Sequence, residues 1–341
     1  MARARPATLK AIADQLGLHV STVSRVLNGP PEGSERAASG ATAERIRRLA
    51  DELGYRRNPH AKSLRTARSD LVGVLVPQLA DLVLALVYEG IEEAAAERGL
   101  STFVMNTRDD EPTQRARTEL AIGRRVDGLI FADGREDTEL LAEVAAREVP
   151  FVLVNRPAGD FPVVACDNRA GGRMVAEHLL ERGHQRVAVV AGPAYARTAR
   201  ERTAGFVERY REAGFPVPEE LVVHSRFDTG GGREATARIM QAAGAEPPTA
   251  LFAVNDFAAI GAAGCAREHG LLIGRDIAVA GFNDTPLAAE LPVPLTSVRV
   301  PVHEMGRRAL GLLADLIGGR SVGSVHLPPE LVVRASTTGG A

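Results

Sequence analysis

From Leu71 onward the chain alternates short runs of β-branched and aliphatic residues with longer amphipathic stretches, and that alternation leaves few architectures open. Between the runs LVGVLVP, STFVMN, DGLIFA, PFVLVN, RVAVVAG, TALFAV and DIAVAGF lie amphipathic stretches of roughly twelve to sixteen residues, enough for a crossover helix. Runs that are apolar on both faces suit strands covered on both sides, so the pattern predicts a core of parallel sheet and helix. At 341 residues and 45% hydrophobic, the chain can bury one large core or two medium ones beside a small head. With four Tyr, ten Phe and no Trp, those cores are built from Ala, Val and Leu, and an aromatic placed in a pocket is a scarce group.

Ahead of this core, residues 8–28 read TLKAIADQLGLHVSTVSRVLN. Leu9, Ile12, Ala13 and Leu16 follow the spacing of one buried helical stripe, Gly17 allows a turn, and Val23, Val26 and Leu27 repeat the stripe. Ser21, Thr22, Ser24 and Arg25 then face outward: short hydroxyls that approach phosphates, and one guanidinium able to fork onto guanine O6 and N7. This is a helix-turn-helix pattern. A third helix is predicted from about Thr42 to Leu53, with Ile46, Leu49, Ala50 and Leu53 inward, Ser39 as cap and Gly54 as stop.

Charge is distributed unevenly. Residues 1–69 hold 13 Lys and Arg against 6 Asp and Glu, leaving 28 against 37 for the remainder, so the head is the polyanion-binding end. The run RRNPHAKSLRTARS is too basic to fold alone, yet Asn58 can cap a short helix and Pro59 is pre-set for its first position. Cys166 and Cys265, far apart, suit a reducing cytoplasm, and the longest apolar stretch, 71–87, is broken by Pro77, Gln78 and Asp81. Neither a membrane span nor an export signal is expected. P-loop and HExxH motifs are missing, and GGGREA does not complete GxGxxG. The eight His are scattered, His184 reading as a helix end and His303 as a helix start. No catalytic site, metal or cofactor is therefore expected.

The string TVSRVLNG, between an alanine-rich first helix and an amphipathic third, resembles the LacI family of bacterial transcription regulators. So do VDGLIF, CDNRAGGRMVAEHLLERGHQRVAVVAGP, RTAGF, NDFAAIGA, GFNDTPLAAELPVPLTSVRVPVHEMGRRAL and PPELVVRAST, which together span nearly the whole chain. The resemblance implies an all-α helix-turn-helix head at 1–57 and a hinge helix at 58–70. The remainder, 71–341, is then an α/β two-lobed periplasmic-binding-protein-like core with parallel sheets. Its N-terminal lobe would take about 71–165 and 295–325, and its C-terminal lobe about 166–293 and 326–341. It also implies a homodimer on a pseudo-palindromic DNA operator, with no leucine-heptad tail to make a tetramer. A repressor modulated by a small, sugar-like effector is expected, with a non-sugar metabolite or co-repressor as the alternative. A solute-binding receptor is the competing class, opposed by the basic head.

For DNA, the resemblance points to His19, Val20, Ser21, Thr22, Ser24, Arg25 and Asn28, and in the hinge to Asn58, Ala61 and the groove-wedging Leu64. For the effector it points to Asp81, Asn155, Thr198, Arg202, Phe227 and Asp256, with Asp133 a weaker candidate. Asp256 would otherwise cap a helix, and Arg202, taken to lie in a helix's opening turn, would oppose the dipole there. The chain departs from the family at Asp81, Leu82, Val83 and Leu84, where an Asn-Pro-Phe-Phe run is usual, so an aromatic wall is expected to be missing. Ala196 disfavours a purine. The loop GPPEGSERAASGA, about five residues longer than is usual in the family, reads as a solvent-facing insertion.

Overall fold

A computed structural model describes residues 8–28, 38–55, 68–136 and 139–339. The chain divides into two compact units, the first ending at Ser69 and the second beginning at Asp70. Asn58, Ala61 and Leu64, together with most of the extended loop, lie outside the described residues.

In the first unit α1 (Leu9–Leu16), α2 (Val20–Asn28) and α3 (Gly40–Glu52) enclose a small core. Thr8 caps α1 by accepting the Ala11 amide at 3.2 Å. Gly17 ends that helix at φ 64°, its N–H reaching back to the Ala13 and Asp14 carbonyls, and the left-handed backbone turns the chain toward α2. Ile12, Ala13, Val23 and Ile46 are fully buried, and Leu9, Leu16, Leu27 and Leu49 pack around them. Leu53 departs from its expected inward place. It is 36% exposed because α3 closes at Glu52; Tyr55 turns back instead, donating its amide to the Ala50 carbonyl at 2.8 Å and packing on this core.

The second unit holds two six-stranded sheets. β1 (Leu71–Val76), β2 (Ser101–Asn106), β3 (Gly128–Phe131), β4 (Phe151–Val154) and β5 (Val163–Cys166) lie in the first. The second collects β6 (Val187–Val190), β7 (Val222–Val223), β8 (Ala250–Ala253), β9 (Ala278–Asn283) and β10 (Thr296–Arg299). β11 (Val325–Leu327) then returns to the first sheet and β12 (Glu330–Val332) to the second. The orders are β11-β5-β4-β3-β1-β2 and β12-β10-β9-β8-β6-β7, parallel throughout except where β12 runs against β10.

The exchange of strands near the C-terminus corrects the expected lobe limits. Residues 296–299, expected in the N-terminal lobe, pair with β9, where the buried Thr296 and Ser297 hydroxyls find partners in the same lobe. Thr296 Oγ1 donates to the Arg334 carbonyl at 3.0 Å, and Ser297 Oγ to Asp256 at 2.5 Å. Residues 326–327, expected in the C-terminal lobe, stay with β5, where the Asp167 amide donates to the Leu327 carbonyl at 3.1 Å.

Helices cover both sheets: α4 (Leu82–Ala96), α5 (Glu111–Gly123), α6 (Leu140–Ala146), α7 (Asn168–Glu181), α8 (Arg197–Glu212), α9 (Thr229–Ala243), α10 (Asp256–Glu268), α11 (Pro286–Glu290), α12 (Val302–Ile317) and α13 (Ala335–Thr338). Helices α7 and α8 approach through reciprocal glycines. A Cβ on Gly172 would stand 2.1 Å from the Arg202 carbonyl, and one on Gly205 2.1 Å from that of Arg169. This close approach places the face of α8 that carries Thr198 and Arg202.

Candidate DNA-reading face and ligand cleft

With Val23 and Val26 buried beneath it, α2 leaves His19, Val20, Ser21 and Arg25 exposed and Thr22 and Ser24 half-buried at its flanks. His19 organises the start of the helix. Its Nδ1 lies 2.7 Å from Ser21 Oγ and 3.3 Å from the Ser21 amide, the place of a cap. Asn28 is the last residue of α2.

The cleft of the second unit forms where strands end, as parallel sheets require. Its outer chamber has a volume of about 480 Å³ and its inner slot about 30 Å³, and Pro77, Asp81, Arg156 and Phe227 stand in both walls. Five of the six sequence-predicted effector residues meet here: Asp81, Asn155, Thr198, Arg202 and Phe227 all line the inner slot. Asp81 caps α4 through Oδ1, which accepts the Val83 amide at 2.9 Å; burial raises its pKa against the pull of that amide and of Arg156 and Arg202. Asn155 follows β4 in the left-handed region, at φ 65°.

Arg202 is 3% exposed. Its Nε donates to Asn168 Oδ1 at 2.9 Å and its Nη1 to the Val254 carbonyl at 2.8 Å, while Nη2 has no partner among the described residues. Burial outweighs the surrounding carboxylates and pushes its pKa down to about 10. It lies in the second turn of α8, which begins at Arg197, so the expected conflict with the opening turn does not arise.

Asp256 is the exception. Its carboxylate is 1% exposed and already engaged: Oδ2 accepts the Thr285 amide at 2.7 Å and the Thr285 hydroxyl at 2.9 Å, and Oδ1 accepts Ser297 Oγ at 2.5 Å. It stands in neither cavity wall, and burial pushes its pKa up to about 6. The cap of α10 is Asn255, whose Oδ1 accepts the Ala258 amide at 2.8 Å, and it is Asn255 that faces the slot. Asp133 is likewise turned away, held by the Thr107 hydroxyl at 2.6 Å and outside both walls.

Sequence reasoning missed Arg156, Tyr195, Asn255 and Asn283. All follow or end strands, so position was their one available signal. Asn283 ends β9 at φ 106°, and its buried Oδ1 has no partner among the described residues. The aromatic wall expected to be missing at Leu82–Leu84 is supplied from the other lobe, by Tyr195, Phe227 and Phe257 around the outer chamber. Among the described residues no cluster of His, Cys, Asp and Glu could hold a metal, and no helix is long and apolar enough to cross a membrane.

A helix-turn-helix unit followed by a two-lobed α/β cleft defines a ligand-responsive DNA-binding regulator. The family description "Bacterial regulatory proteins, lacI family" matches residues 8–58, and "Periplasmic binding protein-like domain" matches 176–337. The transcriptional regulator DegA of Bacillus subtilis is 30% identical, over 97% of this chain and 98% of its own. The solved Lac repressor dimer bound to operator and the anti-inducer ONPF superposes with a TM-score of 0.87 at 29% identity, over 98% of this chain and 99% of its own. The CelR–cellobiose complex superposes at 0.74 and 30% identity, over 97% and 99%. The chain belongs to the lacI family of bacterial regulatory proteins.

Proposed function

We propose that the chain acts in the cytoplasm as a homodimeric, sequence-specific repressor whose operator binding is modulated by a small polyhydroxylated effector, and that it catalyses no reaction. The observation that carries the effector reading is the inner slot. There the unpaired Nη2 of Arg202, the unpartnered Oδ1 of Asn283 and the Asp81 carboxylate offer donors and acceptors for adjacent hydroxyls. Tyr195, Phe227 and Phe257 offer apolar faces to a ring in the chamber beyond. The operator complex of the Lac repressor dimer and the cellobiose complex of CelR support the two halves of this reading.

The outward hydroxyls and Arg25 on α2 support the DNA role. A non-sugar metabolite is the second reading, favoured by the aliphatic Val83 and Leu84 in the slot wall.

The test is a selection of bound duplexes from a random pool with full-length protein, followed by anisotropy titrations on the selected site with cellobiose, glucose, ribose and uridine. A pseudo-palindrome whose affinity shifts with a sugar supports the proposal. Selection of no duplex overturns the regulator, and a response to uridine alone overturns the polyhydroxylated effector.

A further inference from the structure

Asp109 follows β2 in a left-handed backbone, φ 55°, directly after Arg108 at φ 58°. Two consecutive non-glycine residues in this region are strained, and such strain persists where surrounding contacts hold it. Here the contacts come from both lobes. Within its own lobe, Asp109 Oδ1 accepts Arg156 Nη1 at 2.7 Å, and its carbonyl accepts Arg135 Nη1 at 2.9 Å. From the opposite lobe the Tyr195 hydroxyl, in the loop after β6, donates to Asp109 Oδ2 at 2.7 Å, and Arg135 Cζ sits 4.4 Å from the Tyr195 ring centroid. A second cross-lobe pairing lies beside it, where Glu136 meets Arg197 and Arg200 of α8.

These contacts are part of the cleft. Asp109, Arg156 and Tyr195 all line the outer chamber, and Arg156 also reaches the inner slot, with Cζ 5.8 Å from the Phe227 ring centroid. Arg156 is 5% exposed, and its Nε and Nη2 have no partner among the described residues. One carboxylate therefore holds the guanidinium in the cavity wall with one oxygen and the far lobe with the other.

We infer that Asp109 is a positioning residue that couples the ligand cleft to lobe closure, holding Arg156 for the ligand and clasping the second lobe through Tyr195. A ligand acceptor that draws on Arg156 competes with Asp109 for it and so alters the clasp. Burial and the adjacent carboxylate push the Tyr195 pKa up to about 12, so the phenol remains a donor near neutrality. The role as a ligand-coupled element rests on the regulator reading above, whereas the clasp itself does not.

The experiment is a double-mutant cycle of Tyr195→Phe and Asp109→Asn in the full-length protein, read by amide hydrogen exchange and by affinity for the selected operator. Tyr195→Phe should lower protection in segments 107–110 and 194–200 by about tenfold, the scale of one hydrogen bond to a charged acceptor, and the double variant should lose little more. The same variants should shift effector-free operator affinity non-additively, with non-specific DNA affinity unchanged. Unchanged protection, or additive losses, overturns the clasp. Loss of protection with unaltered operator affinity overturns the coupling and leaves the regulator reading standing. If the wild type selects no operator, that reading fails, and the clasp is still judged by exchange.

Discussion

The Arg202 guanidinium carbon lies 3.9 Å from the centroid of the Phe282 ring, at the base of the cleft. A desolvated stack of this kind is worth about 2 kcal/mol, so the aromatic face offsets part of the cost of burying the charge. Among the described residues no carboxylate stands within 4.0 Å of the guanidinium. The charge is thus held in place by neutral groups and left available to a ligand.

Replacing Arg202 by Gln should preserve operator binding while removing the effector response. The loss is the charged donor to the ligand, about 1.5–3 kcal/mol, or roughly ten- to a hundredfold in ligand affinity. Thermal-shift titration with whichever sugar alters operator affinity checks this. Equal stabilisation of variant and wild type would place the ligand elsewhere.

Arg25→Ala should abolish operator selectivity, because a bidentate guanine contact is worth about 1–3 kcal/mol of discrimination in each half-site. Ser21→Ala should act more mildly, since the Ser21 hydroxyl is already engaged by His19 Nδ1 at 2.7 Å. Repeating the random-duplex selection with each variant measures both. An unaltered half-site preference in Arg25→Ala would mean that α2 docks differently.

Asp256→Asn should change the pH dependence of stability more than ligand binding. The folded pKa, about 6, lies above the unfolded value of 3.8, so the native state binds the proton more tightly. Stability from this group is therefore fully present below 3.8 and is lost as pH rises to about 6, by up to roughly 3 kcal/mol. Melting curves of wild type and variant between pH 4 and about 7 should show a wild-type decline across that window that the variant lacks. Parallel curves would rule out this titration.

Gly172→Ala should destabilise the second unit, because its Cβ would meet the Arg202 carbonyl at 2.1 Å and force α7 and α8 apart. A loss of about 1–3 kcal/mol or more is expected by chemical denaturation, with weakened effector response because the backbone that moves carries Arg202. A variant as stable as wild type would show that the helix pair yields at little cost.

Much of the scaffold was legible locally. The stripe from Ile12 through Val23 to Ile46, the cap at Ser39, the left-handed Gly17 and the β-branched runs are short-range patterns set by helical and strand periodicity. The cleft was legible in outline, since ligands gather after parallel strands, and Asp81, Asn155, Thr198, Arg202 and Phe227 do converge there.

The chain's own sequence thus determined which segments are helix and strand and where the helix-turn-helix lies, because those depend on neighbours a few residues apart. Tertiary packing decided what sequence spacing does not encode: that β10 and β11 exchange sheets, and that Asn255 faces the slot while its neighbour Asp256 turns inward. It also decided that Asp109 meets Tyr195 across 86 positions of chain. Adjacent residues after a strand point in different directions. Which of them meets the cavity depends on partners such as Ser297 and Thr285, brought in by the fold from far along the chain.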